Sequence, residues 1–243
     1  MLSDLKEAIS EIKHVPATNI FLGNGSDEPI DLLYRAFCEP RIDNVVAIEP
    51  TYGMYKVCAN INDIEYRKVL LNNSFDFSAD EMLQAADEKT KLIWLCSPNN
   101  PTGNSLNQDE IAKLLKNFKG IVVVDEAYID FSSQPGFAKR LHEFENLVIL
   151  QTFSKAWGSA AIRLGMAFAS EEIVQILNKI KYPYNINILT QKQALKALQE
   201  KEQVSNWVQT LISERAWLTD QLQKLDIIKH IYQIGRASCR ERV

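Results

Sequence analysis

The chain has 243 residues, of which 46% are hydrophobic and 24% are charged, a mixture typical of soluble globular proteins. This composition excludes collagen-like, low-complexity and wholly disordered chains. The formal net charge of −4 at pH 7 argues against nucleic acid as a partner, because sequence-independent binding to nucleic acid requires a basic surface.

No apolar run approaches the roughly 20 residues that span a bilayer, so we expect no membrane partner. The chain opens with an amphipathic helical pattern and not with a signal peptide. Its four cysteines form no Cys-x-x-Cys pair and its three histidines are scattered, which predicts neither a disulfide framework nor a metal site. The reducing cytoplasm is therefore the expected compartment.

Helix-like and strand-like segments alternate along the chain. The pattern predicts helices at 2–13, after Ser26 and Asp27, at 52–60, at 78–87 and after Asn107. It predicts strands at 20–22, 45–48, 64–70, 92–96, 121–124 and 147–150. Strands that alternate with helices indicate right-handed βαβ units, and hence an α/β fold with a parallel or mostly parallel sheet.

A capping pattern precedes the helix predicted after Asn107. Asn107 is a favoured residue at a helix start, and Glu110 follows three positions later, which makes a variant of the capping box. In such a box the two side chains reciprocally bind the two backbone N–H groups. We expect this reciprocal arrangement here.

The strand pattern stops near Asn187, and apolar residues then trace one long helix. Those residues are Val204, Trp207, Val208, Leu211, Leu218, Leu222 and Leu225. The change predicts a first domain over residues 1–185 and, over residues 186–233, linking helices that lead into an incomplete C-terminal domain. Residues 234–243 lack periodicity and match the translation of a common sequencing-adapter DNA. Our hypothesis for them is non-native read-through, with a natural basic tail as the alternative.

Reactive and polar side chains follow several of the predicted strands. Asp125 closes one strand, and Lys155 follows another, with Arg163 eight residues beyond it. The segment 25–27 follows the first strand and opens a helix. Ligands of such sheets bind at the carboxyl ends of the strands, so we expect these groups to converge.

Together these groups describe a site for pyridoxal 5′-phosphate. A lysine near a cation can have its pKa lowered and form a Schiff base. A carboxylate keeps a pyridine nitrogen protonated, which makes the ring an electron sink, and a helix N-terminus with hydroxyls and an arginine binds phosphate. Each feature alone has a plainer interpretation: Lys155 as a surface charge, Asp125 as a helix cap or metal ligand, and residues 23–25 as a turn.

Three segments carry a resemblance to a known family. They are Ser97-Pro-Asn-Asn-Pro-Thr-Gly103, Asp125-Glu-Ala-Tyr128, and Thr152-Phe-Ser-Lys-Ala-Trp-Gly158 with Arg163-Leu-Gly165. They resemble the signatures of class II, fold-type-I pyridoxal-phosphate-dependent aminotransferases, and the resemblance covers about residues 1–233. It implies a three-layer large domain around a mostly parallel sheet, followed by the start of a small C-terminal domain.

Further segments resemble the histidinol-phosphate aminotransferase branch of that family. They are Gly23-Asn-Gly-Ser-Asp-Glu28, Glu49-Pro-Thr-Tyr-Gly-Met-Tyr55 and Tyr182-Pro-Tyr-Asn-Ile-Asn187. The implied reaction transfers the amino group of L-histidinol phosphate to 2-oxoglutarate, giving imidazole-acetol phosphate and L-glutamate in histidine biosynthesis. These small molecules would be the partners, and the family implies a homodimer.

The resemblance also implies roles for individual residues around the cofactor ring. Lys155 would hold the cofactor covalently and then move a proton as general base and acid. Asp125 would pair with the pyridinium nitrogen, and Tyr128 and Asn100 would hydrogen-bond the phenolic oxygen. Tyr52 would stack on the ring face, with core packing as its alternative.

The phosphate group of the cofactor would be bound at the start of a helix. The groups implied are, in chain order, Gly25, the backbone N–H groups of Ser26 and Asp27, and the side chains of Thr152, Ser154 and Arg163. Tyr55, in contrast, is expected to pack in the core, with substrate contact as its alternative.

Two other functions stay open at this point. One is an aminotransferase of the same fold that acts on aromatic amino acids or a cobalamin precursor, and the other is a cofactor-binding fragment without catalysis. A nicotinamide-dependent dehydrogenase is disfavoured, because no Gly-x-Gly-x-x-Gly follows the first strand.

The chain also departs from the family pattern. Ser159 and Ala161 stand where the family has leucine and glycine, which are small changes that should not abolish cofactor binding. We expect two family segments to be missing: an N-terminal arm whose tyrosine reaches the partner's cofactor phosphate, and a small domain with a substrate-binding arginine. We therefore interpret Met1 as an internal methionine or a mis-assigned start, and the activity of this chain by itself stays open.

Overall fold

The computed structural model describes residues 2–228 and residue 231. The tail predicted at 234–243 lies outside the described residues. The strands are β1 (Ile20–Asn24), β2 (Asn44–Glu49), β3 (Glu65–Leu70), β4 (Thr90–Cys96), β5 (Ile121–Asp125), β6 (Leu147–Thr152) and β7 (Leu164–Phe168). The helices are α1 (Leu2–Lys13), α2 (Asp27–Phe37), α3 (Met54–Ile61), α4 (Ala79–Ala85), α5 (Gln108–Asn117), α6 (Glu171–Ile180), α7 (Ile188–Gln199) and α8 (Lys201–Gln223).

The strands form one seven-stranded sheet in the order β1-β7-β6-β5-β4-β2-β3. From β3 to β6 all neighbouring strands pair in parallel, whereas β7 pairs antiparallel with both β6 and β1. The prediction of a mostly parallel sheet is therefore confirmed. The strand β7 was not predicted, because Leu164-Gly-Met-Ala-Phe168 contains a glycine and no β-branched residue.

Side chains on the two faces of the sheet belong to two separate cores. In β5, Val122 and Val124 lie in one core and Val123 lies in the other, so this strand is covered on both faces. The helices α1, α4, α5 and α7 cover the first face, and α2, α3 and α6 cover the second. The predicted three-layer architecture is confirmed.

The reversed direction of β7 decides where the loops of the sheet meet. Because β7 runs opposite to both of its neighbours, β1 and β6 point the same way. The carboxyl ends of β1, β4, β5 and β6 therefore lie at one edge of the sheet. The chain enters β7 at this same edge, directly after Arg163, and α2 begins there too.

The capping pattern at Asn107 is half confirmed. The Asn107 side chain accepts hydrogen bonds from the backbone N–H groups of Asp109 and Glu110, at 2.8 and 3.2 Å. The Glu110 carboxylate does not complete a reciprocal box, and this part of the expectation was wrong. It accepts instead from the backbone N–H of Ala79 at 2.7 Å, at the start of α4. A partner distant in the chain thus replaces the local one.

The long helix predicted from Val204 onward is confirmed as α8. Its first turns belong to the core that also holds α1, since Val204 and Val208 are buried there. The division between residues 185 and 186 into two domains stays a prediction. Within the described part of the chain, no helix is long and apolar enough to cross a membrane.

Candidate active site

Asp125 lies at the end of the central strand β5 and is buried. Its Oδ1 accepts a hydrogen bond from the backbone N–H of Ala127 at 3.0 Å, and its Oδ2 accepts one from the hydroxyl of Tyr55 at 2.7 Å. Burial raises the pKa of the carboxyl, while the two hydrogen bonds and the charge of Lys155 act in the opposite direction. The structure thus holds a desolvated acid whose charged form needs cationic or hydrogen-bonding partners.

Lys155 and Tyr128 meet above the ends of β5 and β6. The Lys155 Nζ lies 5.2 Å from the centroid of the Tyr128 ring, within the range of a cation–π contact. Both side chains are half-buried, and the charge of Lys155 acts on Asp125. The sequence prediction that these three residues converge agrees with this arrangement.

The start of α2 and the entry to β7 form a compact cradle. Gly23 of β1 pairs with Gly165 of β7, and the N–H of Gly25 donates to the carbonyl oxygen of Arg163 at 2.8 Å. A Cβ on Gly165 would run into the backbone of Gly25 and Ser26. The close approach of β7 to the segment after β1 therefore requires glycine at position 165.

The side chains around that cradle are polar. Thr152 and Ser154 lie 3.0 Å apart between their hydroxyl oxygens, and the Thr152 hydroxyl also accepts from the backbone N–H of Ser154. Arg163, with φ of 53°, is exposed, and its Nη2 lies 3.6 Å from the Asp27 carboxylate. The N–H groups in the first turn of a helix such as α2 have no partners within the helix, so this end of α2 favours an anion.

Tyr52 extends this group from the loop after β2. Its hydroxyl donates to the Asp27 carboxylate at 3.1 Å, and its ring meets that of Tyr55 edge-on at a centroid distance of 5.6 Å. Desolvation and the nearby charge of Asp27 raise the pKa of Tyr52, so it stays a neutral donor. Tyr52 is half-buried at the site, as both of its interpretations allowed.

Asn100 lies half-buried in the loop after β4, and its neighbour Asn99 organises that loop. The Asn99 amide donates to the carbonyl oxygen of Pro50 at 2.9 Å and to the Thr102 hydroxyl at 2.8 Å. Its amide oxygen accepts from the hydroxyl of Thr51 at 3.0 Å. The sequence analysis did not single out Asn99, although paired asparagines between two prolines are a strong loop signal.

Glu126 is a second buried acid that the sequence analysis missed. It follows Asp125 and lies on the opposite side of the sheet, where it accepts from the backbone N–H of Phe137 at 2.6 Å and from the Gln151 amide at 2.9 Å. Burial raises the pKa of Glu126 to about 7. No sequence signal identifies this group, because a glutamate after a strand is ordinarily exposed.

The arrangement fits pyridoxal 5′-phosphate chemically. It offers an amine at Lys155, a buried carboxylate at Asp125 for a protonated ring nitrogen, and an aromatic ring at Tyr52. The glycine cradle, the start of α2 and Arg163 offer a seat for a phosphate group. In the structure the Asp27 carboxylate itself lies beside Arg163, so a phosphate bound there competes with an internal anion.

Comparison with known proteins identifies the family. Residues 1–236 match the family model described as aminotransferase class I and II. The chain belongs to this family. It is therefore a pyridoxal-phosphate-dependent aminotransferase, as the resemblance implied.

Named relatives of this aminotransferase point to one branch. It is 60% identical over 232 residues to a histidinol-phosphate aminotransferase from Bacteroides fragilis (strain YCH46), covering 96% of this chain and 67% of that protein. A histidinol-phosphate aminotransferase from Bacteroides thetaiotaomicron is 59% identical and is covered over 66% of its length. The chain thus spans about two thirds of these relatives.

A solved structure supports the fold of this aminotransferase. The crystal structure of the histidinol-phosphate aminotransferase from Clostridium acetobutylicum superposes with a TM-score of 0.85 at 23% sequence identity. The match covers 96% of this chain and 69% of that one. At this identity the likeness shows the shared fold alone.

The first prediction concerns the stability of the fold when Gly165 of the glycine cradle is replaced. Gly165→Ala places a methyl group against the backbone of Gly25 and Ser26, which cannot rotate away. We expect the free energy of unfolding to fall by about 1–3 kcal/mol, measured by chemical denaturation. Gly53→Ala is the matched control, because the space around Gly53 is open. Equal stability of the two variants would contradict the prediction.

The second prediction concerns how the buried carboxyl of Glu126 makes the stability of the fold depend on pH. Its folded-state pKa lies above the ordinary value of 4.5, so the native state binds more protons than the unfolded chain between about pH 4.5 and 7. Stability therefore falls as the pH rises through this window. Glu126→Gln removes the titration. The Gln151 Nε2 group now donates to Glu126, and a rotation of the Gln151 amide by 180° would let the new amide group donate to the Oε1 of Gln151, which has no partner among the described residues.

We expect Glu126→Gln to stabilise the fold by roughly 1–3 kcal/mol, more at pH 8 than at pH 5. Chemical denaturation at both pH values measures the effect. Glu145→Gln, at an exposed position, serves as the control. A Glu126→Gln advantage that is the same at pH 5 and pH 8 would show that the carboxyl does not titrate in this range.

Proposed function

We propose that this aminotransferase transfers the amino group of L-histidinol phosphate to 2-oxoglutarate, giving imidazole-acetol phosphate and L-glutamate in histidine biosynthesis. The observation that carries the proposal is the meeting of Lys155, the buried Asp125 and the α2–Arg163 cradle at one edge of the sheet. The relatives at 59–60% identity, named histidinol-phosphate aminotransferases, support the choice of substrate.

Lys155 is proposed as the catalytic residue. Its amine would hold the cofactor and would act as general base and acid, taking the proton from the substrate carbon that bears the amino group and giving it back during the transfer. When bound, pyridoxal phosphate supplies a ring that withdraws electrons from the reacting carbon. Tyr128 lies beside Lys155 and provides a ring against which the ammonium form rests.

The other site residues are proposed to orient the cofactor. Asp125 would keep the ring nitrogen protonated, and Tyr128 and Asn100 would hydrogen-bond the phenolic oxygen. Tyr52 covers one face of the ring and excludes water.

The cradle is proposed to bind the phosphate group. Its contributors are Gly25, the N–H groups of Ser26 and Asp27, and the side chains of Thr152, Ser154 and Arg163. The N-terminus of α2 and the guanidinium group supply complementary charge.

We also propose that the protein works as a homodimer in the cytoplasm. Large apolar side chains are exposed in the loop after α6 and at the start of α7, and these are Tyr182, Tyr184, Ile188 and Leu189. Such a cluster is typical of a surface covered by another subunit. Three cysteines, Cys38, Cys58 and Cys96, are free thiols, which suits a reducing compartment.

A cofactor-binding chain without turnover is the second candidate. Half-reactions distinguish the two. With the proposed function, L-histidinol phosphate bleaches the absorbance of the bound cofactor, whereas phenylalanine and aspartate do not. Bleaching by phenylalanine alone would favour an aromatic aminotransferase, and a bound cofactor that no amine bleaches would favour the second candidate.

The third prediction concerns the covalent link between Lys155 and the cofactor. Lys155→Ala should abolish the covalent cofactor chromophore, because Lys155 is the lysine that lies over the Tyr128 ring among the residues that the structure describes. Where the unaltered chain turns over, we expect the rate to fall at least about a hundredfold. Absorbance spectroscopy and mass spectrometry after borohydride reduction measure the covalent link. Lys116→Ala, at an exposed position of α5, is the control. A reduced adduct that persists in Lys155→Ala would show that another lysine holds the cofactor.

A further inference from the structure

Tyr55 is fully buried beneath the candidate active site. It is the second residue of α3, the helix that follows the Tyr52 loop, and its hydroxyl donates to Oδ2 of Asp125 at 2.7 Å. The backbone N–H of Ala127 binds the other carboxylate oxygen. Two protein donors thus fix the two oxygens of Asp125. The Ala127 N–H belongs to the loop that follows Asp125, whereas the Tyr55 hydroxyl comes from a different part of the chain.

Tyr55 is itself held from several sides. Its ring stacks on Trp94 at a centroid distance of 4.9 Å, and Trp94 stacks on Tyr34 at 5.3 Å, both with an interplanar angle of 17°. The hydroxyl of Tyr34 donates to the backbone carbonyl oxygen of Tyr55 at 2.8 Å. Because the ring and the backbone of Tyr55 are both fixed, its hydroxyl has little freedom to leave Asp125.

The charges around this contact favour a phenol that donates and a carboxylate that accepts. Burial and the charge of Asp125 raise the pKa of Tyr55 well above its ordinary value, so the hydroxyl keeps its proton. Burial raises the pKa of Asp125, and the hydrogen bond from Tyr55 counteracts that rise. The titratable groups that act on Asp125 from the packed elements are Asp27, Tyr52, Tyr55, Cys96, Glu126 and Lys155.

We propose that Tyr55 is a positioning residue that holds the carboxylate of Asp125 in place for the ring nitrogen of the cofactor. Tyr52, three residues earlier, binds Asp27 instead, so the two tyrosines of one short segment serve two different carboxylates. The link to the cofactor rests on the proposed function, whereas the link from Tyr55 to Asp125 can be measured without cofactor.

The test uses Tyr55→Phe, which keeps the stacked ring and removes only the hydroxyl. The Asp125 carboxyl is titrated by carbon-13 NMR in the cofactor-free chain labelled at aspartate, with its signal assigned from Asp125→Asn. We expect the pKa of Asp125 to rise by about one unit, a tenfold change in proton affinity, because one charge-assisted hydrogen bond is lost. An unchanged titration would overturn the proposal.

Two controls separate positioning from general stability. Tyr66→Phe removes a similar phenol–carboxylate bond, from Tyr66 to Glu49 at 3.0 Å, away from Asp125. Tyr34→Phe removes only the hydroxyl that binds the backbone of Tyr55, and it keeps the aromatic stack and the hydroxyl of Tyr55. We expect both to leave the Asp125 titration unchanged; an equal rise in either variant would indicate a structural role for Tyr55 and overturn the proposal.

A second measurement concerns pyridoxal phosphate itself. Its dissociation constant, from quenching of tryptophan fluorescence across pH, should rise about tenfold in Tyr55→Phe, with the acid limb of binding moved to higher pH. In the Asp125→Asn background the same substitution should have no effect. An equal loss in both backgrounds would overturn the proposal. Failure of the unaltered chain to bind cofactor would count against the proposed function, while the carboxyl titration would still decide the role of Tyr55.

If Tyr55→Phe does not fold, the unaltered chain still provides a test. A hydroxyl proton held between Tyr55 and Asp125 should give a low-field proton resonance that moves upfield in Asp125→Asn. A tyrosine spectrum that is identical in the two chains would overturn the proposal.

Discussion

The close backbone approach between β1 and β7 is the contact on which the site depends. Gly165 leaves room for Gly25 and Ser26, and this lets the start of α2 lie beside the entry to β7. Only because β7 is antiparallel to both neighbours does Arg163 arrive at the edge where β5 and β6 end. The anion seat and the amine–carboxylate pair thus share one edge because of a single reversed strand.

The residues that carry chemistry could be predicted because they follow strands of strong pattern. The continuous β-branched run before Asp125 and the apolar run before Thr152 identify buried parallel strands, whose ends define the site. The strand β7 carries no such pattern, since its glycine serves contact with another part of the chain. Its position follows from its neighbours in space and not from its own residues.

The supporting residues were missed for a related reason. Tyr55 looks like an ordinary aromatic of an amphipathic helix, and only the fold shows that its hydroxyl meets Asp125. Glu110 appeared to belong to its own helix start, but the fold gives it to the neighbouring helix α4. Local patterns identify which side chains are buried or capping, whereas the choice of partner depends on tertiary structure.

Asp125 and Glu126 are consecutive acids that lie on opposite sides of one sheet, each with its own hydrogen-bond donors. A slip of β5 by a single position relative to β4 and β6 would exchange their surroundings and leave both carboxylates without matching donors. The pair therefore disfavours a slip of the central strand by one position. The polar end of β5 thus specifies the register of the strand. The apolar side chains along the rest of β5 are of nearly equal size and do not specify it.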